Sequence, residues 1–397
     1  MALEEFDPEH QAVLACALAP ADLEPAALSP TFAQARSWKK VEAVARLNQL
    51  RPQVAACLVS AAGTCEEGLR LLESLEATAR VHRGHAMMMA GEVLRALELL
   101  RAAGIRAVAF KGPAFAALVD GRPGQRESGD LDILVSPEDA FASVDCLLRA
   151  GYQGALPLAA LRSRWLTLAT NELGLELPGS PVMVELHWRL APRWSSVAIG
   201  VEDVFDSLVP RDYLGTTISW PGPEALFLIH VVDGMKAGGC GMRWVGDLAA
   251  ILRRERLDWQ QVSATARRNG GLASVEIALA LVEDLASEAC AALRLPALAA
   301  PLPPEARSMA ASARRRPRAS RALHAIRKRL ATDERLAGAR EHFAWALRAA
   351  DDPLKAAAAI AGYLAGPAVA DLKSIPAEGI SDFGLRLRAA RRRLEAR

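Results

Sequence analysis

A chain of 397 residues, 51% hydrophobic and 24% charged, suggests two or three domains and a sizeable core. Its formal net charge of +2 is close to neutral for this length, so the chain as a whole does not advertise a polyanionic partner. Cys16, Cys57, Cys65, Cys146, Cys240 and Cys290 show no Cys-x-x-Cys spacing, which excludes an obvious zinc site or disulfide framework and suits a reducing cytoplasm. The start, MALEEFDPEHQ, lacks the basic and apolar regions of a signal peptide, and apolar runs such as Ile277 to Val282 end at Glu283 and Asp284, short of a spanning length. A soluble, cytoplasmic protein without a membrane partner is expected.

Alanine and leucine dominate, which predicts much helix around a small sheet. Ser37 to Leu50, Glu66 to His82 and Ala86 to Ala103 carry helical periodicity, with Gly104 as a C-terminal cap and Met87, Met88 and Met89 as core filler. Ile105 to Phe110 then reads as a short strand entering a helix over Pro113 to Val119 through Gly112. A second strand follows at Leu131 to Val135. Ser136 caps a helix over Pro137 to Arg149 with Asp139 near its positive end, and Gly151 turns the chain toward strands over Asn171 to Leu177 and Val182 to Trp188. Beyond Pro221 the chain is helical again, over Pro223 to Lys236 and Met242 to Leu252. From about Ala299 the Pro-rich ALAAPLPPEA marks a linker or sharp turn, followed by a basic helical region with Arg314-Arg315-Arg316, Arg327-Lys328-Arg329 and Arg391-Arg392-Arg393, expected to form solvated helix faces or linkers. The expected fold is α+β with an α/β-like core. A helical region over 1–103, a catalytic core over 104–220, a helical lid over 221–298 and a basic helical region over 299–397 make up the chain.

The chemistry concentrates between Phe110 and Val135. Asp130 and Asp132 flank Leu131 at the head of an apolar strand, so both carboxylates face one way. Two hard oxygen ligands so placed suit Mg²⁺, with Mn²⁺ as the substitute, because magnesium binds a few protein carboxylates completed by substrate phosphates. Burying both charges without a cation would be costly. Upstream, the strand delivers the chain into a helix N-terminus whose free amides hold a phosphate, with Gly112 allowing close approach and Lys111 adding a point charge. Arg126 is placed to clamp a phosphate or orient the aspartates. Ser128 joins the candidate nucleotide contacts, with a local turn hydrogen bond as its simpler role. On the strand VMVELHW, Met183, Glu185 and His187 share a face. Glu185 is the candidate third carboxylate, as metal ligand or general base, with Glu176 as the competing choice and His187 more simply a packed residue. Arg243 and Asp247 are four apart on one helix face, where an intrahelical ion pair is the simplest role and a cleft lining the alternative.

The motifs Phe110-Lys111-Gly112, Arg126, Asp130-Leu131-Asp132-Ile133-Leu134-Val135 and Glu185-Leu186-His187-Trp188 resemble the DNA polymerase β-type nucleotidyltransferase superfamily, most closely the bacterial uncharacterised nucleotidyltransferases. Gly112-Pro113 departs from the superfamily's Gly-Ser, so one hydroxyl contact to phosphate is missing. The resemblance favours Glu185 over Glu176, adds weight to Arg126, and implies that Arg243 and Asp247, with His230 a weaker candidate, line a helical lid over the nucleotide. Gly366 to Pro376 resembles the family's closing motif.

The expected activity is transfer of a nucleoside monophosphate, AMP from ATP or another NTP, to a hydroxyl acceptor with release of pyrophosphate. A small molecule or peptide is favoured as acceptor over nucleic acid. The alternatives are phosphoryl transfer to a peptide or natural-product hydroxyl, a decayed nucleotide-binding protein, and an RNA-end nucleotidyltransferase that uses the basic C-terminal region. The sequence does not set the oligomeric state.

Overall fold

Leu71, Leu75, Ala79, Ala86, Met89, Val93, Ala96 and Leu100 recur without losing helical phase, and the chain from Glu66 to Ala102 is accordingly one helix of 37 residues. The two helices expected on either side of residues 83–85 are therefore one. Gly84 lies inside it, where glycine costs roughly 1 kcal/mol against alanine but does not clash or remove a backbone donor as proline would. Of the three consecutive methionines only Met89 is buried, while Met87 and Met88 are exposed, because neighbours on a helix point about 100° apart. Gly104, at φ +75°, caps the helix, with the Ile105 amide donating to the Leu100 carbonyl.

The computed structural model describes residues 5–20, 23–61, 66–120, 126–161, 166–195, 198–293 and 302–365. Cys65, part of the Pro-rich segment, and the Gly366 to Pro376 and Arg391 to Arg393 motifs lie outside them. Helices α1 (Pro8–Leu18), α2 (Ser29–Phe32), α3 (Trp38–Leu47), α4 (Arg51–Leu58) and the long α5 (Glu66–Ala102) precede the sheet. Ser37 caps α3 by accepting from the Lys40 amide.

Strand β1 (Ala107–Ala109) leads through α6 (Gly112–Asp120) to β2 (Asp130–Val135), and α7 (Ala140–Arg149) leads to β3 (Gln153–Gly154). The first turn expected of α7 is a separate turn in which the Ser136 hydroxyl accepts from the Asp139 amide. Short helices α8 (Leu158–Leu161) and α9 (Leu166–Ala169) precede β4 (Glu172–Glu176) and β5 (Met183–His187). The five strands form one mixed sheet in the order β1-β2-β5-β4-β3, with β2 and β5 parallel and the other pairs antiparallel. This is the small mixed sheet among helices that the sequence predicts. Buried Leu131, Ile133 and Val135 take the sheet face opposite the acids.

After α10 (Val201–Asp206) comes a hairpin that the sequence reading does not contain, β6 (Val209–Tyr213) and β7 (Thr216–Trp220). Helices α11 (Pro223–Lys236), α12 (Met242–Arg254), α13 (Trp259–Asn269), α14 (Leu272–Leu293), α15 (Pro304–Arg315), α16 (Pro317–Thr332), α17 (Gly338–Ala349) and α18 (Pro353–Ala365) complete the described chain. One apolar cluster joins residues from Phe6 to Ala349. Helix α12 packs on α1, α6, α11 and α14, and so joins the N-terminal helix and the later helices to the helix that follows β1. No helix among the described residues is long and apolar enough to cross a membrane, and the five described cysteines are free.

The basic C-terminal region is only partly a solvated face. Arg327 is 1% exposed and bonds both Glu288 oxygens, at 3.1 and 2.7 Å. Arg314 pairs with Glu283 and Asp284, Arg316 pairs with Glu276, and Arg329 donates to the Gly238 carbonyl. Several of these arginines act as ties between helices rather than as a free surface.

Candidate functional site

Parallel pairing of β2 with β5 sets Asp130 beside Met183 and Asp132 beside Glu185. Antiparallel pairing of β5 with β4 sets Gly174 beside Glu185 and Glu172 beside His187. Partners in register share a face, so Asp130, Asp132, Glu185, His187 and Glu172 all rise from one side of the sheet. Gly174 leaves the position next to Glu185 without a side chain. Donor atoms of Asp132, Glu185 and His187 lie within 4.8 Å of one another. Asp130 stands outside that trio but on the same face. Glu176 shares it too, yet is exposed at the far end of β4, paired with Met183 and Gln153.

His187 is the centre of the polar cluster. Its Nε2 lies 3.0 Å from Asp132 Oδ1 and 3.6 Å from Glu185 Oε2, and its Nδ1 lies 3.2 Å from Glu172 Oε2. Although 1% exposed, the ring makes no aligned hydrogen bond through either nitrogen among the described residues, and it meets Phe110 edge to face at 5.3 Å. Burial would lower its pKa, but contact with Asp132 and Glu185 outweighs this and raises it.

The two aspartates titrate in opposite senses. Burial, then the charges of Asp132 and Glu185, push the Asp130 carboxyl up to about 6. Burial also works on Asp132, but the Lys111 ammonium and His187 overcome it and hold that carboxyl below its ordinary value. A buried face with three carboxylates, one raised by like charge, and an imidazole with no aligned partner fits a divalent cation. Asp132, Glu185 and His187 are the group whose donor atoms lie close enough together to hold such a cation, with Asp130 on the same face.

Lys111 closes the cluster from the β1–α6 turn. Its Nζ lies 2.5 Å from Asp233 Oδ1 on α11 and 3.9 Å from Asp132 Oδ1. Lys236, one turn on, reaches Asp233 at 3.1 Å. Against the effect of burial, these acids raise the Lys111 pKa and the two lysines hold Asp233 well below the usual carboxylate range. Gly112, at φ +64°, is required in this turn: a Cβ there would also meet the Asp130 carbonyl at 3.2 Å. The glycine thus seats the turn against the head of the acid strand.

Arg126 and Arg243 hold the approach to that strand. Arg126 is buried, pairs with Asp247 of α12 and lies over the Phe115 ring at 4.7 Å. Arg243 Nη1 donates to the Glu127 carbonyl at 2.8 Å. The simplest expectation, an Arg243–Asp247 pair within one helix, is therefore replaced by two contacts from α12 to residues 126–127. Ser128 is half-buried and makes no hydrogen bond among the described residues. His230 is a packed residue: its Nδ1 donates to the Leu226 carbonyl, its ring lies 4.1 Å from Phe115, and burial pushes its pKa down to about 4.

Sequence reasoning misses Asp233, Glu172 and Glu127. Asp233 carries a usable signal, since it stands three residues from both His230 and Lys236 on α11. Glu127 accepts from Arg51 N, Nε and Nη2 at 3.0, 2.9 and 2.7 Å, contacts that no local spacing announces.

A small mixed sheet thus carries carboxylates on adjacent strands, with a glycine turn and a lysine at their head. The chain belongs to the uncharacterised nucleotidyltransferase family, whose profile matches residues 34–287, more than half its length. No curated protein and no solved structure shows significant similarity to it.

Proposed function

We propose that this enzyme is a magnesium-dependent nucleotidyltransferase that moves AMP from ATP, or the corresponding group of another NTP, to a hydroxyl acceptor. The observation that carries the reading is the register of β2 with β5, which sets Asp132 beside Glu185 and Asp130 on the same face. A cation bound there supplies neutralisation of the triphosphate and a lower pKa for the attacking hydroxyl. Asp130, Asp132 and Glu185 hold it. Lys111 and the amides at the start of α6 receive the triphosphate, although Pro113 contributes no amide donor. Arg126, fixed between Asp247 and Phe115, positions the lead-in to the acid strand.

In the reaction the acceptor oxygen bonds to the α-phosphorus while the bond from that phosphorus to the bridging oxygen breaks, and pyrophosphate leaves. Glu185 either completes the metal site or takes the hydroxyl proton. A small molecule or peptide is the favoured acceptor. The family relationship and the acid face support this reading.

Incubation with Mg²⁺ and ATP labelled at either the α- or the γ-phosphate, with pooled small molecules and peptides, tests it. Label from the α-phosphate should enter an acceptor, and Asp130→Asn with Asp132→Asn should abolish incorporation without loss of fold. Transfer of the γ-label alone would establish phosphoryl transfer instead.

A further inference from the structure

Residues of α14, α15, α16 and α17 line an open groove of about 750 Å³. This volume falls in the roughly 300–1,000 Å³ range of small-molecule sites. The groove lies mainly beyond the family-matched segment, and none of its lining residues belongs to the acid face described above. One side carries Asp284 and Glu288, already neutralised by Arg314 and Arg327. The other cationic groups have no such use. Arg321 and His324 on α16 and Arg348 on α17 line the same volume and make no hydrogen bond or ion pair among the described residues. Ser320 adds a hydroxyl beside them.

Arg327 also lines the groove, but it is committed to acids. Arg327 is 1% exposed, and its terminal nitrogens are bonded to Glu288. Its Nε pairs with Glu5 at 3.9 Å and has no hydrogen-bond partner among the described residues. Four arginines against two acids leave the lining net positive, and Arg321 and Arg348, unpaired among the described residues, present planar pairs of donors suited to phosphate oxygens.

We propose that this groove is a second anion site, which binds a phosphate-bearing small molecule of pyrophosphate to nucleotide size. It does not rest on the reaction assigned to the acid face. Calorimetric titration of the full chain with pyrophosphate and with ATP, without added metal, tests it. Binding should persist in Asp130→Asn/Asp132→Asn and weaken about tenfold for each arginine removed in Arg321→Ala and Arg348→Ala. Because both arginines are exposed and unpaired among the described residues, their removal should leave the unfolding midpoint unchanged. Binding unaffected by the double arginine variant would overturn the proposal. So would stronger binding of a glutamate-rich peptide than of pyrophosphate, which would make the groove a peptide-docking surface.

Discussion

Lys111 and Asp233 are 122 positions apart in the chain, and their charged ends meet at 2.5 Å. The contact ties the turn before the acid strand to α11, and the same ammonium lies 3.9 Å from Asp132. One lysine therefore serves both a structural partner and a candidate metal ligand.

Replacing it should shift the pH dependence of the reaction. In Lys111→Met, Asp132 loses a positive neighbour and its carboxyl pKa rises, so a proton competes for it at higher pH. The acid limb of the kcat/KM profile should move up by about one pH unit, equivalent to about 1.4 kcal/mol. The nucleotide KM should rise about tenfold as well. An unmoved acid limb would show that Lys111 does not act on Asp132.

Asp130 sets function against stability. Its carboxyl is raised to about 6 in the folded protein, so the fold binds that proton more tightly than the unfolded chain does. The resulting stabilisation is complete below the ordinary value near 3.8 and is lost as pH rises through about 6. Without metal, Asp130→Asn should therefore be more stable than the parent at pH 8, by about 1–3 kcal/mol, with the difference vanishing toward pH 4. Urea unfolding in a chelator at both pH values measures it; a lower midpoint for the variant at pH 8 contradicts the reading.

Glu127 holds the lead-in to the acid strand through Arg51. Its loss in Glu127→Ala leaves a partly buried guanidinium without its carboxylate, at an expected cost of about 2–4 kcal/mol. Glu127→Gln should cost less because it retains one acceptor. Hydrogen exchange at residues 126–130 should accelerate more in the alanine variant than in the glutamine variant; equal protection in both would place the restraint elsewhere.

His10 ties α1 to the C-terminal end of α16. Its Nδ1 lies 2.9 Å from Asp7 and its Nε2 3.0 Å from Asp333, and these contacts overcome burial to raise its pKa above 6.5. The stabilisation is complete below 6.5 and is lost as pH rises through the raised value. In His10→Gln, stability should fall less between pH 6 and 9 than in the parent, by about 1 kcal/mol. Parallel stability curves for the two proteins would exclude this link.

Local pattern accounts for much of what the sequence discloses. Alternation places Asp130 and Asp132 together on one face of their strand and Met183, Glu185 and His187 together on one face of theirs, and in the sheet the two sets share a single side. What alternation cannot supply is which strands are neighbours. The β2–β5 pairing depends on packing of the whole intervening segment, so the approach of Asp132 to His187 was not legible. The same holds for Arg126 with Asp247, where spacing suggested an intrahelical pair and tertiary packing chose a partner across the fold. The β6–β7 hairpin was missed for a local reason. Its turn residues, Leu214 and Gly215, both take positive φ without the usual Asn-Gly or Asp-Gly signal.

The long-range character of these pairings also bears on synthesis. Asp132 needs Glu185, Lys111 needs Asp233, and Arg126 needs Asp247, so each successive tie enlists a later stretch of chain. A nascent polypeptide that has exposed the acid strand but not α12 lacks the last of them. Catalytic competence should thus arrive late and abruptly during translation, and fragments ending before Asp247 should carry the motif without the enzyme.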